Sequence, residues 1–261
     1  MTVIFGVTLA ALGLCGAFVS GLLGVGGAVV MIPLLLHVPP LLDVGALDVK
    51  AVTGVTMVQV LAAAASGTLV HRRTRAVHGG LAIVGGAAMG IGALVGAVAS
   101  TFADDRWLLA LFAAMVTAAL PLLLAARDPR GDTIFAEQVE FSRWHAAAVC
   151  LGVGLAAGAV GAGGAFLLVP LLLVFVRIPI RVTIGSSLAI TGVAAVTGFA
   201  GKLATGQILW GPALLVALGA IPGARLGAMA SRRLPGRRLQ QLLFVVVLAT
   251  AIQIWVDLLA P

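Results

Sequence analysis

Apolar stretches of about twenty residues or more, separated by short polar segments, fill almost the whole chain. A helix that crosses a lipid bilayer needs roughly 20 mostly apolar residues. Two stretches, 3–38 and 144–176, are too long for one straight crossing. Six others have the length of a single crossing: residues 51–70, 79–102, 107–126, 182–201, 208–231 and 239–259. The pattern predicts an all-α polytopic membrane protein embedded in a lipid bilayer.

The charge content argues against a soluble protein. Only 10% of the 261 residues are charged and 61% are hydrophobic, whereas a soluble domain typically has about 25% charged residues. The pI of about 11.3 would fit a nucleic-acid binder, but the basic residues lie in short loops between apolar stretches. Such loop charges orient membrane proteins, so we expect no nucleic-acid partner.

Both long apolar stretches contain a glycine cluster near the middle. The clusters are Gly24-Val25-Gly26-Gly27 and Gly161-Ala162-Gly163-Gly164. Adjacent glycines are poor helix formers and adopt backbone conformations that other residues avoid. We therefore interpret each stretch as a re-entrant element, a helix broken at its glycine cluster, which accompanies three transmembrane helices in its half of the chain.

The two halves of the chain repeat each other. The motif Gly21–Pro33 matches Gly158–Pro170, with glycines at the same spacings. Further along, six positions match in constant register: Gly54, Gly67, Gly80, Gly92, Gly96 and Ser100 with Gly185, Gly198, Gly211, Gly223, Gly227 and Ser231. We predict two homologous transmembrane repeats, 1–126 and 144–261, joined by a cytoplasmic linker at 127–143.

The basic residues of the loops discriminate between two topologies. If each half crossed the membrane four times, as a parallel repeat, the two sides would hold seven and eight basic residues. If each broken element enters and leaves on one side, one side holds twelve and the other only Lys50, Arg106 and Lys202. The positive-inside rule favours the second arrangement. Three crossings per half make the repeat inverted, as in many secondary transporters, with both chain ends outside the cell.

A re-entrant element would bring a helix N-terminus to the middle of the membrane. Residues 28–37 would rise about 15 Å, half of the hydrocarbon thickness, and residues 165–176 would reach a similar depth from the other side. Helix N-termini carry unpaired N–H donors and partial positive charge, so the two breaks favour an anion. The predicted substrate-binding glycines are Gly24, Gly26, Gly27, Gly161, Gly163 and Gly164. The alternative is that these glycines only allow close helix packing.

Polar side chains follow each broken element at the start of the next helix. We include Thr56 and Gln59 in the first half, and Ser186 and Ser187 in the second, among the predicted substrate-binding residues. Their hydroxyl and amide groups can donate hydrogen bonds to an oxyanion. Capping, or bonding to carbonyls of their own helix, is the alternative role.

Three basic residues need separate interpretation. Arg225 is the one basic residue well inside an apolar stretch. It either lines the anion path or extends to the cytoplasmic end of its helix, and we include it among the predicted substrate-binding residues. Lys202 and its counterpart His71 lie at the ends of apolar stretches, and we expect topological or vestibular roles for both.

The sequence lacks the patterns that mark enzymes and ion-coupled carriers. All nine carboxylates lie in loops or near the C-terminus, whereas proton- or cation-driven carriers usually hold ionisable groups within the membrane. No metal-site, nucleophile or phosphate-loop motif is present. We predict a protein that is not an enzyme and that uses no metal or cofactor.

The doubled motif GxxGxGGxxxxxP, at Gly21–Pro33 and Gly158–Pro170, resembles that of the sulfite exporter TauE/SafE family of membrane permeases. Gly185-Ser186-Ser187-Leu188 and Pro222–Gly227 are similar to the same family, and the resemblance covers residues 6–256. It implies a transporter of sulfur-containing anions, such as sulfite and organosulfonates, or of related small organic acids. Export is the usual activity in the family, with import in some members.

Two features qualify what the resemblance implies. Val55-Thr56-Met57 departs from the small polar pattern of Ser186-Ser187-Leu188 in the second half. A thiosulfate-importing branch of the family relies on cysteines near its path. Cys15 and Cys150 lie outside the glycine clusters, so that chemistry is not carried over, and we expect both to behave as small apolar residues.

We therefore expect a secondary transporter in the cell inner (plasma) membrane that exports sulfite or an organosulfonate such as sulfoacetate. The anion would bind at mid-membrane, where the two breaks meet. Each negative charge that leaves a cell with a negative interior gains about 2.3 kcal/mol per 100 mV, so export requires no second ion. The alternatives are an anion channel, an importer of a related small organic anion, and a membrane scaffold without transport activity. The oligomeric state stays open.

Overall fold

The fold is all-helical. The structure, a computed structural model, describes residues 3–72, 77–125, 141–176 and 178–259, and this part of the chain contains no β-strand. The helices are α1 (Val3–Leu23), α2 (Ala28–Leu41), α3 (Val49–Arg72), α4 (Gly79–Ala99), α5 (Asp105–Ala125), α6 (Arg143–Val160), α7 (Ala165–Leu171), α8 (Ile180–Ala204), α9 (Trp210–Ser231) and α10 (Gly236–Leu259). A 3-10 turn, Ser100–Phe102, follows α4, and a π-helical turn, Leu172–Val176, continues α7.

Eight of the described helices have the length and apolar composition of a membrane span, namely all except α2 and α7. The six predicted crossings correspond to α3, α4, α5, α8, α9 and α10, which confirms the polytopic membrane fold. The predicted linker at 127–143 lies mostly outside the described residues and stays a prediction.

The arms that precede the glycine clusters, α1 and α6, are longer than a half-crossing. α1 has 21 residues, about 31 Å at 1.5 Å per residue. Three of its four glycines fit tight contacts: Gly13 and Gly21 lie against backbone atoms of α9, and Gly16 lies against Met31 of α2. Each half therefore contains four helices of spanning length and one shorter helix.

Both long apolar stretches are broken at the predicted glycine clusters, between α1 and α2 and between α6 and α7. Gly26 and Gly27 have φ of 77° and 80°, and Gly163 and Gly164 have φ of 62° and 66°. These left-handed conformations cost other L-residues roughly 1–2 kcal/mol each but cost glycine little. Consecutive residues of this kind cannot continue a right-handed helix, so the first helix ends and a new one begins.

Small residues bring helices from different halves into close contact. α1 packs along α9 in parallel orientation, with Gly13 against Val216 and Gly21 against Ala224. Backbones can approach this closely only where side chains are small. The equivalent pair, α4 and α6, packs in the same way through glycines of both helices: Gly92, Gly96, Gly154 and Gly158.

The equivalent helices α3 and α8 contact each other in antiparallel orientation. Near the end of α3, a Cβ at Gly67 would lie 3.4 Å from Leu188 Cδ1, which belongs to the first half of α8. Towards the end of α8, a Cβ at Gly198 would lie 2.7 Å from Met57 Cε, in the first half of α3. The two helices therefore run in opposite directions through the centre of the protein.

The equivalent helices α5 and α10 are antiparallel as well. The amide of Gln240, at the start of α10, donates a 3.0 Å hydrogen bond to Leu123 O near the end of α5. Towards the end of α10, the indole N–H of Trp255 donates to Thr117 Oγ1, near the middle of α5, at 2.9 Å. Two pairs of equivalent helices thus show the same reversal of direction.

The two arms of the first broken element run in opposite directions. α2 runs along α10 in parallel orientation, because Thr250 Oγ1 donates to Val29 O at 3.0 Å and His37 Nε2 lies 2.9 Å from Asp257 Oδ1. α1 and α2 contact each other directly. A Cβ at Gly27 would lie 3.0 Å from Ser20 Cβ, and one at Gly16 would lie 2.9 Å from Met31 Sδ. The contacts run in opposite directions along the two helices, so α1 and α2 form a hairpin.

Gly96→Ala tests the close contact between α4 and α6. A Cβ at Gly96 would overlap the carbonyl oxygen of Leu155, and a backbone atom cannot move aside as a flexible side chain does. Overpacking costs typically about 1–3 kcal/mol. We expect the unfolding temperature in detergent to fall by about 3–10 °C, measured by scanning fluorimetry.

Gly152→Ala is the matched control on the same helix pair. Gly152 lies on the exposed face of α6, and a Cβ there would meet no atom within 4 Å. Alanine favours a helix over glycine by up to about 1 kcal/mol, so the unfolding temperature is expected to stay or to rise. Equal unfolding temperatures for the two variants would contradict the close contact at Gly96.

Candidate functional site

The two glycine breaks meet inside the helix bundle. A Cβ at Gly26, in the first break, would lie 3.8 Å from Ala162 O in the second break and 3.4 Å from Ala165 Cβ at the start of α7. Thr191, on α8, touches both breaks. Its methyl carbon lies 3.4 Å from a Cβ built at Gly26 and 3.0 Å from one built at Gly163.

A hydroxyl group from the opposite half binds a carbonyl of each break. Ser187 Oγ, on α8, donates to Gly24 O at 2.9 Å, and Thr56 Oγ1, on α3, donates to Gly161 O at 3.1 Å. The two donors occupy equivalent positions in the repeat, and so do the two acceptors. Both hydroxyls also lie within hydrogen-bond distance of carbonyls in their own helices. These hydrogen bonds from the opposite half therefore hold the breaks in place.

The N–H groups of the breaks are less well satisfied than the carbonyls. Within the described residues, the N–H groups of Gly26, Gly27, Gly163 and Gly164 donate no hydrogen bond. All four glycines are buried. Buried backbone donors without a partner are rare in native proteins. Here, four such donors lie in two adjacent breaks, and the first break forms the N-terminus of α2. The four N–H groups form a cluster of positive partial charge that suits an anion.

Three buried side chains near the breaks also lack partners. Gln59, Thr191 and Ser20 are fully buried, and their amide and hydroxyl atoms make no hydrogen bond in the described part of the chain. A Cβ at Gly27 would lie 2.6 Å from Gln59 Nε2 and 3.0 Å from Ser20 Cβ. Leaving such a group unpaired costs about 1–3 kcal/mol. Their concentration here points to a polar ligand that completes these hydrogen bonds.

The structure gathers most of the predicted site residues around the breaks: Gly24, Gly26, Gly27, Thr56, Gln59, Gly161, Gly163, Gly164 and Ser187. It does not bring two others there. Ser186 is buried, but its hydroxyl accepts a 2.9 Å hydrogen bond from the N–H of His78, just before α4. Arg225 is exposed on α9, whose other face packs against α1 through Gly223 and Gly227. The side chain of Arg225 therefore lies on the outer surface of the bundle.

Lys202 is enclosed by protein. Its side chain, near the end of α8, is fully buried rather than extended toward water as a topological charge would be. The ammonium donates hydrogen bonds to Gln207 Oε1 at 2.8 Å, to Thr53 Oγ1 and Ser100 Oγ at 3.0 Å each, and to Ala159 O at 3.2 Å.

Sequence reasoning had no local signal for this position of Lys202. A lysine in the last turn of an apolar stretch has the pattern of a topological charge. Its partners come from other helices and meet it only in the folded protein. The side chain of its counterpart, His71, lies outside the described residues.

A mostly apolar cavity of about 780 Å³ lies between α3, α4 and α8. Thr68 and Gly79 contribute to its lining, and none of the predicted site residues does. In the repeat, these two positions are equivalent to Phe199 and Trp210, whose rings pack edge to face with centroids 6.2 Å apart. The cavity lies on one side of the core, whereas two aromatic rings pack together at the positions equivalent to Thr68 and Gly79 on the other.

Fold and site define the class of protein. Within the described residues, eight helices have the length of a membrane span and no group of three or more His, Cys, Asp or Glu could hold a metal ion. Two broken helices whose breaks meet inside such a bundle are typical of a membrane transporter. The family model described as sulfite exporter TauE/SafE matches residues 9–254, and the chain belongs to this family. The resemblance in the glycine motifs is thereby confirmed.

Relatives of similar length carry transporter names. A protein of Xylella fastidiosa (strain 9a5c), named "Probable membrane transporter protein", is 29% identical over 260 residues that cover 97% of each chain. A protein of Bacillus subtilis (strain 168), named "Probable membrane transporter protein YunE", is 23% identical over 267 residues, which cover 95% of this chain and 96% of its own. No solved structure matches the chain. Both relatives match across the two halves, so the similarity is not confined to one repeat.

Ser187→Ala tests the bond between the halves. The variant leaves Gly24 O without its hydroxyl donor, and a hydrogen bond between membrane helices contributes about 0.5–2 kcal/mol. We expect a fall of about 1–6 °C in the unfolding temperature in detergent. Ser66→Ala is the matched control, because Ser66 donates only to Ala62 O in its own helix, at 2.8 Å. Equal effects of the two substitutions would contradict a stabilising role for the bond to Gly24.

Proposed function

We propose that the protein is a secondary transporter that exports small sulfur-containing anions, such as sulfite or an organosulfonate like sulfoacetate. The anion binds where the two glycine breaks meet. One observation carries this proposal. In the described part of the chain, four buried N–H groups, at Gly26, Gly27, Gly163 and Gly164, have no partner, and Gly27 lies beside the unpaired amide of Gln59.

Several converging donors without a fixed charge suit a small oxyanion. The N–H groups at the N-terminus of α2 carry partial positive charge, and Gln59, Thr191 and Ser20 supply side-chain donors. Sulfite and sulfonate groups present three oxygens around one sulfur, so donors from different directions can bind at the same time. The description of the family supports a sulfur-containing anion over other small anions.

We infer an inverted repeat from the directions of the helices. Equivalent helices of a parallel repeat cross a membrane in the same direction, whereas those of an inverted repeat cross in opposite directions. The antiparallel contacts of α3 with α8 and of α5 with α10 support inversion. The hairpin of α1 and α2 supports a first element that returns to the side where it began.

The loop charges support one orientation of this inverted repeat. Twelve basic residues would lie on the side of the linker at 127–143 and three on the side of the chain ends. The positive-inside rule then favours a linker in the cytoplasm and chain ends outside the inner (plasma) membrane. The side that holds the linker and the side that holds the chain ends are called the linker side and the chain-end side below.

Gln59→Met is expected to weaken anion transport without lowering the stability of the fold. The amide stabilises a bound anion, and hydrogen bonds to charged groups contribute about 1.5–3 kcal/mol. The flux of labelled sulfite into proteoliposomes is therefore expected to fall at least about tenfold. The unfolding temperature of the anion-free protein is expected to stay or to rise, because an unpaired buried amide is removed.

Competition by sulfoacetate, taurine, sulfate, thiosulfate and acetate identifies the preferred anion.

Gly152→Ala is the control for flux, since it changes an exposed helix position. Wild-type flux in Gln59→Met would exclude the breaks as the anion site. Flux that never saturates with sulfite would identify a channel. If the wild-type protein moved no anion, with or without an imposed potential, the transporter proposal would be rejected in favour of the scaffold alternative.

An imposed membrane potential is expected to drive the anion without a second ion. Each elementary charge contributes about 2.3 kcal/mol per 100 mV, which corresponds to a gradient of about 40- to 50-fold at equilibrium. We expect labelled sulfite to accumulate inside potassium-free liposomes that are placed in potassium medium with valinomycin, because potassium entry makes their interior positive. Accumulation that requires a pH gradient at every potential would contradict this uncoupled mechanism.

A further inference from the structure

Lys202 joins four parts of the fold through one buried ammonium group. Thr53 lies near the start of α3, Ser100 follows α4, Ala159 ends α6, and Gln207 lies in the connection after α8. All four accept hydrogen bonds of 2.8–3.2 Å from Lys202 Nζ. A lysine that only marks the membrane surface would extend toward water, but this side chain is 0% exposed.

The groups that surround this ammonium are all neutral. They are two hydroxyls, one amide oxygen and one backbone carbonyl. In the described part of the chain, no carboxylate lies within 4.0 Å of Lys202, and the ion pair at that distance is His37 with Asp257. A second cation, Lys50, lies one turn before Thr53 on α3, and Thr53 Oγ1 donates to Lys50 O at 2.8 Å. Burying a charge without a counter-ion is costly, because neutral acceptors replace only part of its hydration.

The ammonium lies close to the second glycine break. Ala159, which accepts one of its hydrogen bonds, precedes Gly161 by two residues. A Cβ at Gly161 would overlap Thr53 O, so the residue that accepts from Lys202 through its hydroxyl also touches the break through its carbonyl. One turn further along α3, Thr56 donates to Gly161 O at 3.1 Å. The buried charge and the break are thus separated by about one turn of α3.

We propose that Lys202, Thr53, Ser100 and Gln207 form a second anion-binding site on the chain-end side. This inference rests on the proposed function. A small oxyanion occupies the site as it passes between the chain-end side and the glycine breaks. It supplies the negative charge that the neutral acceptors lack, and the hydroxyls of Thr53 and Ser100 turn from backbone carbonyls to donate to its oxygens.

In sequence, the equivalent positions on the linker side carry a different set of side chains. Ser231 matches Ser100, but His71 stands in place of Lys202, Ile184 in place of Thr53 and Ala76 in place of Gln207. An apolar side chain and a methyl group cannot bind an oxyanion through hydrogen bonds. Removal of the charge at Lys202 is therefore expected to affect anion binding from one side of the membrane only.

Lys202→Met tests the site in proteoliposomes that hold the transporter in a single orientation. The KM for sulfite is expected to rise at least tenfold when the anion is supplied on the chain-end side, and to stay within twofold on the linker side. At equal anion concentrations and without a potential, the fluxes in the two directions must be equal. The value of kcat/KM must therefore fall by the same factor in both directions. Because KM on the linker side changes little, kcat has to fall for transport from that side. Lys202→Arg retains the charge and is expected to keep KM within about threefold.

Two further variants guard against indirect effects. Arg106→Met removes an exposed cation from the same side of the membrane and is expected to leave KM unchanged on both sides. Ser100→Ala removes one donor of the site, retains the charge, and is expected to raise KM on the chain-end side by about threefold to tenfold. It provides the same sided readout if Lys202→Met fails to fold.

The outcomes separate this inference from the proposed function. A wild-type protein that transports no anion overturns both. Anion flux in the wild type, with unchanged KM on the chain-end side in Lys202→Met and Ser100→Ala, overturns the second site alone. A lower unfolding temperature in Lys202→Met without any sided change of KM assigns Lys202 a purely structural role and likewise overturns the second site.

Discussion

Backbone hydrogen bonding away from water is the constraint on which this structure depends. A helix satisfies its own N–H and carbonyl groups, whereas a break within the membrane exposes groups that lipid cannot satisfy. This protein encloses two such breaks inside its helix bundle. Hydroxyls of Ser187 and Thr56 satisfy the carbonyls of Gly24 and Gly161, while N–H groups of the neighbouring glycines stay unpaired. The two breaks therefore present an excess of hydrogen-bond donors that comes from the backbone rather than from charged side chains.

The same constraint makes the two halves depend on each other. Each break lacks a hydroxyl of its own and receives one from the opposite half. The long arms that lead into the breaks are positioned in the same reciprocal way, because α1 packs along α9 and α6 packs along α4. Glycines in these contacts bring the backbones so close that even a methyl group would overlap a carbonyl oxygen, as at Gly96. A half alone would expose both its small-residue faces and its break, so we expect the two halves to fold as one unit.

Features that depend on local sequence pattern were predictable, and features that depend on contacts between distant residues were not. Apolar length located six crossings, and consecutive glycines located both breaks, because each is a property of a short segment. The apolar length before the first break is visible in the sequence as well, whereas the packing of Gly13 and Gly21 against α9 depends on distant residues. Arg225 and Lys202 show the same limit for single charges. Sequence places both at the inner part or end of an apolar stretch, but only tertiary packing decides that Arg225 faces outward and that Lys202 is enclosed.

A cavity lies beside α3, whereas an aromatic pair packs at the equivalent positions of α8 and α9. This difference between the halves has an energetic consequence. A duplicated protein with two identical halves would have no preferred resting state, because exchanging the roles of the halves would leave its free energy unchanged. Here the contact of Phe199 with Trp210 has no counterpart at Thr68 and Gly79. An aromatic pair of this kind contributes about 0.5–1.5 kcal/mol. This contribution belongs to one half alone, so the interactions that hold the fold together are not symmetric between the halves.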